Sequence, residues 1–202
     1  MAGPPPFISY AIQSYNFSIR PRRHGSILML KNQLPIVLDP FTPTKVPMGI
    51  SLPYISGHAF FLVGNCKHRN VCCAVGLIDP GFTGELKLVL CSAHTTSITL
   101  LPGDLSIYLC PFEYICPAVP TDSGLQTPKY EDDVGYDIPS QQNLKLIPGT
   151  CATMQTYLNY PTGLDAYARI IINRSSAAAQ GVMVAPFPVS YTHLRAHETL
   201  AN

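Results

Sequence analysis

Asp79 is the residue most readily given chemistry. It stands in the run Gly76-Leu77-Ile78-Asp79-Pro80-Gly81-Phe82-Thr83-Gly84-Glu85, which reads as a strand, a tight turn and a second strand. Pro80-Gly81 is turn chemistry, and Gly84 permits close backbone approach. A carboxylate at the end of a strand, beside a hairpin tip, is either a reactive acid or a turn former. A lone Asp before Pro-Gly is usually the turn former. Two further runs bear on the choice. Val134-Gly135-Tyr136-Asp137-Ile138 offers a second acid, and Asn173-Arg174-Ser175-Ser176 a cation followed by two hydroxyls. Taken singly, a Gly-Tyr-Asp tripeptide is a weak signal and Arg-Ser-Ser a capped surface turn.

Taken together, the three runs resemble the motifs of the dUTPases. Gly76–Glu85 resembles that family's third motif. Val134–Ile138 resembles the first, with Val in place of the usual Ala. Asn173–Ser176 resembles the second, with Asn where Gly or Pro is common. In the common trimeric members the third motif follows the other two, whereas here it precedes both. That permuted order resembles the monomeric herpesvirus enzymes, in which one chain folds two dUTPase-like domains around a single site. The opening Ile8–Gln13 and the block Lys87–Tyr108 fit the gammaherpesvirus members. The resemblance covers residues 7–188.

The resemblance implies hydrolysis of dUTP to dUMP and pyrophosphate, limiting uracil in DNA and supplying dUMP. It assigns Asp79 the attacking water, which an ionised carboxylate within hydrogen-bond reach can orient and deprotonate. Phe82 takes the aromatic position that stacks on deoxyribose, where a flat ring excludes a 2′-hydroxyl. Uracil would be read by backbone groups from Cys73 to Gly76. Arg174 and Ser175 would hold phosphate oxygens, Ser176 would add a donor, and Asp137 would order groups near the metal. Mg²⁺ would be held by the triphosphate and waters, with no protein ligand set. The fourth and fifth motifs of the family would lie beyond Pro188, so this chain is expected to be a truncated form with weak or no activity. The competing expectation is a dUTPase-derived herpesvirus protein that acts by binding host proteins without catalysis.

The elements needed to position these residues are strands. The chain has 202 residues, 47% of them hydrophobic, with 20 prolines and 14 glycines. Many short apolar runs separated by turn residues favour an all-β fold. Strand-like runs lie at Phe7–Ala11, Ser26–Leu30, Pro35–Leu38, His58–Val63, Ala74–Ile78, Glu85–Leu90, Ser97–Leu101 and Leu105–Ile115. They resume at Val134–Ile138, Leu144–Ile147, Ala152–Leu158, Ala166–Ile172 and Gly181–Ala185. Only Ser175–Gln180 suggests a helical turn. A weak repeat relates Ile36–Asn65 to Leu144–Arg174, each reading strand, strand, loop, strand, polar elbow. The expected organisation is an N-terminal dUTPase-like β-domain at 1–120, a linker at 121–133 and a partial second β-domain at 134–188. Residues 189–202 read as the translation of a sequencing adapter, an artefact outside the fold. His193 and His197 have helical metal-ligand spacing, but they lie in that tail.

A net charge of +1, with 12% charged residues, speaks against a nucleic-acid-binding protein. Arg20-Pro21-Arg22-Arg23-His24 reads as a solvated loop. The seven cysteines include no C-x-x-C pair, and reduced thiols in an intracellular protein are expected. The location would be the host nucleus or cytoplasm. Neither a signal peptide nor a membrane span is read, and the full-length protein is expected to be a monomer. Phe60-Phe61 reads as core.

Overall fold

The computed structural model describes residues 14–21, 27–52, 57–113, 124–128, 133–157, 169–184 and 187–189. The strands are β1 (Phe17–Pro21), β2 (Leu28–Asn32), β3 (Ile36–Leu38), β4 (Pro43–Ser51), β5 (His58–Cys66), β6 (Val71–Cys73), β7 (Gly76–Ile78), β8 (Glu85–Ser92), β9 (Ile98–Leu100), β10 (Leu105–Glu113), β11 (Arg169–Ile171) and β12 (Phe187–Val189). The short helix α1 (Ser175–Ala179) lies between the last two. The all-β expectation holds, and the helical turn among the described residues falls where the sequence suggested it. Among the described residues no helix is long and apolar enough to cross a membrane.

Period-two burial explains the strands of the first half. Leu28 and Leu30 on β2, Leu105, Ile107 and Leu109 on β10, and Leu86, Leu88 and Leu90 on β8 all point inward. Alternate side chains of a strand face opposite sides of a sheet, so this pattern makes one face apolar. The five-stranded sheet β1-β2-β10-β5-β7, the three-stranded sheet β4-β8-β6 and the pair β3-β9 contribute to one continuous core. Each fully buried Leu or Ile stabilises by roughly 1.5–3 kcal/mol.

Asn32 is a polar residue placed inside that core, 3% exposed. Its Nδ2 donates to the Leu34 and Leu101 carbonyls, and its Oδ1 accepts from Gly103 and Leu105 N–H, all at 3.0 Å. Satisfying both ends of the amide removes the penalty of burying it. It thereby ties β2 to the loop entering β10.

β4 is absent from the strand-like runs read from the sequence because Pro43 and Pro47 interrupt its pattern. It lies at a sheet edge, paired only with β8, where a missing N–H is tolerated. β1 and β6 were also unread, and Phe7–Ala11 lies outside the described residues. The second half departs further. Val134–Ile138, Leu144–Ile147 and Ala152–Tyr157 form no strands, only the isolated bridges Gln126–Asp137 and Ser140–Thr156. Gly181–Val184 is likewise not strand, whereas Phe187–Val189 is. Phe60 is core, 2% exposed. Phe61 instead turns to the other face and stacks on Phe112, with ring centroids 4.5 Å apart.

Candidate active site

Asp79 follows β7, which pairs with β5 at the edge of the five-stranded sheet. A turn then reverses the chain: Phe82 N–H donates to the Asp79 carbonyl at 3.1 Å, with Pro80 at the position its fixed φ suits. β8 continues in the other sheet, between β4 and β6. The expected hairpin is therefore corrected, since β7 and β8 do not pair with each other. The turn carrying Asp79 joins two layers, and each layer anchors one end of it.

Phe82 projects from the turn, 44% exposed. Its ring lies over Gly84, where an added Cβ would come 2.8 Å from Cζ. Gly84 is thus the surface against which the ring rests. Glu85 secures the start of β8, its Oε1 accepting from Gly49 N–H at 2.8 Å. Gly49 has φ +64°, a conformation in which glycine is unstrained.

Cys73 ends β6 and packs toward Gly64 and Leu88. Burial, reinforced by the nearby Cys66 and Cys72, pushes its thiol up to about 12. It is a neutral packing group, which leaves its backbone as the useful part. Gly76 opens β7 opposite Leu62.

The segment 134–137 joins the other two motifs. Val134 N–H donates to Asp79 Oδ1 at 3.0 Å. Three residues on, Asp137 Oδ2 accepts from an Arg174 guanidinium nitrogen at 2.6 Å. Gly135 lies against Leu77 of β7, and Asp137 is bridged to Gln126. Positions more than fifty residues apart in the chain are thereby held in one constellation. A charge-assisted contact of that length is a strong hydrogen bond, although the Arg174 side chain is largely exposed and that of Asp137 nearly half exposed.

Arg174 caps α1 with extended φ and ψ and makes no side-chain capping bond, while Ser175 and Ser176 open the helix. Both serines are exposed, so their hydroxyls face solvent. Asn173 is buried and donates to the Arg174 carbonyl at 3.2 Å, which fixes the elbow that Gly or Pro would otherwise form. Gly181, just past the helix, lies against Pro43 of β4. Among the described residues no group of three or more His, Cys, Asp or Glu side chains is arranged to hold a metal ion.

Sequence reasoning missed Val134. Its contribution is a backbone N–H, which every residue but proline carries, so no side-chain signal could reveal it.

Residues 121–193 match the dUTPase family model. The chain is 32% identical over 186 residues to the deoxyuridine 5′-triphosphate nucleotidohydrolase of Equine herpesvirus 2, covering 92% of this chain and 64% of that protein. It is 34% identical over 171 residues to the enzyme of the same name from Alcelaphine herpesvirus 1, covering 84% of this chain and 57% of that one. The chain is similar to the herpesvirus dUTPases. Its family-model match contains Asp137 and Arg174 but not Asp79. A match over 92% of the chain spans all three positions. The chain spans about three fifths of the length of these relatives. Among solved structures it is similar to a dUTPase of phage phi11 of S. aureus that coordinates a structural Mg(II) ion, at 14% identity and TM-score 0.44, covering 54% of this chain and 91% of that one.

Proposed function

We propose that the whole protein hydrolyses dUTP to dUMP and pyrophosphate, with Asp79 as the group that activates water. The observation that carries this is the segment 134–137, which contacts Asp79 at one end and Arg174 at the other. An acid that handles a proton and a cation that neutralises phosphate must share one site for hydrolysis of a phosphoanhydride. Their kinship with the herpesvirus enzymes names the substrate.

Each residue then has a physical task. Asp79 orients the water in line with the phosphorus under attack and takes its proton. The Val134 N–H on Oδ1 favours the ionised carboxylate, because a donor stabilises the charged form. Phe82 stacks on deoxyribose, and its ring leaves no room for a 2′-hydroxyl. The backbone from Cys73 to Gly76 reads uracil. Arg174, now paired with Asp137, turns to the phosphate oxygens as substrate arrives, joined by Ser175 and Ser176. Asp137 would then be placed to hydrogen-bond waters around a Mg²⁺ ion. Mg²⁺ would be held by the triphosphate and its own waters and would supply charge neutralisation, since a hard cation of this kind needs few protein ligands. The two-domain arrangement, a monomeric state and a site of action in the host nucleus or cytoplasm belong to the same proposal.

Asp79→Asn in the full-length gene tests the reading. Pyrophosphate release from dUTP and Mg²⁺ should fall by roughly 10²–10⁴-fold while the protein stays folded. Retained turnover would remove Asp79 from the mechanism. The present chain, assayed alone, is expected to show weak turnover or none.

A further inference from the structure

We propose that Cys72 and Cys91 form a reversible cross-strand disulfide, a redox modification site on the outer face of the β4-β8-β6 sheet. The two are direct partners in the antiparallel β6–β8 register, and direct partners project from the same face. Ala74 N–H donates to Val89 O at 2.9 Å and Ala93 N–H to Asn70 O at 2.8 Å, one pair two residues to each side. The alternation of an antiparallel ladder makes Cys72–Cys91 a hydrogen-bonded pair, with Cα atoms about 5.5 Å apart. Disulfides span Cα separations of about 4.4–6.8 Å, most often ~5.5–6 Å. The Cβ atoms of opposed residues sit ~4.5–5.5 Å apart, wider than the ~3.5–4.5 Å a disulfide prefers. Closure therefore draws the strands together and leaves some strain, and a strained disulfide is readily reduced. β6 has three residues and one pairing neighbour, so it can yield.

Exposure and competition both favour this pair. Cys72 is exposed and Cys91 half-buried. Burial, and then the adjacent Cys72, raises the Cys91 thiol, and the exposed Cys72 is the more accessible of the two to peroxide. Cys73 faces the opposite side of β6 and, pushed up to about 12, carries almost no thiolate at neutral pH. Cys66 is also raised, chiefly by burial.

The oxidant is a peroxide. Each thiol first gives its proton to solvent. The Cys72 thiolate attacks one peroxide oxygen, the O–O bond breaks, and a sulfenic acid and hydroxide result. The Cys91 thiolate attacks that sulfur, the S–S bond forms, the S–O bond breaks, and a second hydroxide leaves. The two hydroxides take up the two thiol protons as water. Two electrons pass from the thiols to the peroxide. The product closes the chain from Cys72 to Cys91 into a covalent loop containing Asp79 and Phe82, which restricts the unfolded chain. This chemistry stands whether or not Asp79 is catalytic.

The full chain, treated with hydrogen peroxide, alkylated and digested, should yield a Cys72–Cys91 cross-linked peptide pair two hydrogens lighter than the free thiols. Dithiothreitol should abolish it. Cys91→Ser should leave Cys72 as a sulfenic acid that dimedone captures, and Cys72→Ser should remove that capture. Both positions face outward, so serine disturbs no core, and circular dichroism checks the fold. Oxidation of Cys72 with Cys91 still alkylated in the wild type, or cross-links from Cys72 to Cys66 or Cys73 instead, would overturn the proposal.

Discussion

Glu85–Leu90 and Leu105–Ile115 in a first region, and Leu144–Ile147 and Ala152–Leu158 in a second, all read as strand in the sequence, and among the described residues only the first region becomes strand. In the first, every second residue of β8 and of the start of β10 enters a shared core. In the second, residues 140–155 are all exposed, including Leu144, Leu146, Ile147 and Met154. The lesson is that an apolar run specifies a strand only where a neighbour supplies both hydrogen bonds and a face to bury against. The proposed site draws on both kinds of region. Asp79 stands between two sheets that hold it, whereas Asp137 and Arg174 hold each other from less regular chain.

The comparison is broken most directly by matched truncations. Leu90→Ala should destabilise by roughly 2–5 kcal/mol in urea denaturation, and Leu146→Ala by no more than about 0.5 kcal/mol. Equal losses would mean that residues 140–157 contribute to the core after all. Asn32→Ala should cost about 1–3 kcal/mol for each buried partner left unsatisfied, read from the same melts. Arg174→Ala sharpens the contrast from the other side. An exposed pair contributes about 0–1 kcal/mol to stability, so the thermal midpoint should hardly move, while KM for dUTP in the full-length protein rises. Gly84→Ala should displace the Phe82 ring and raise KM for dUTP, leaving the melt nearly unchanged.

Acid gives the smallest effect. The Lys67 ammonium, then the Leu101 N–H, hold the Asp104 carboxyl below its ordinary 3.8. A depressed carboxyl contributes stability above its unfolded pKa and loses it as pH falls through the folded value. The stability of the first half should therefore decline slightly below pH 3.8, and Lys67→Met should flatten that slope in acid melts.

Much of this was legible in the residues themselves. Alternation in Glu85–Leu90 and Leu105–Ile115, with turn residues between, announced strands and an all-β class. Gly76–Glu85, Val134–Ile138 and Asn173–Ser176 pointed to a nucleotide-hydrolysing family and a permuted order only through their joint resemblance to the dUTPase motifs, since each run alone is a weak signal. β4 stayed hidden because its prolines are tolerable only at an edge, and which strand lies at an edge is not local information. Tertiary structure alone decided that β7 and β8 part into separate sheets at Asp79. It alone decided that the Val134 amide reaches that carboxylate and that Cys72 faces Cys91. Side-chain type can be read along a chain, but a backbone donor or a strand partner is chosen only when distant segments meet.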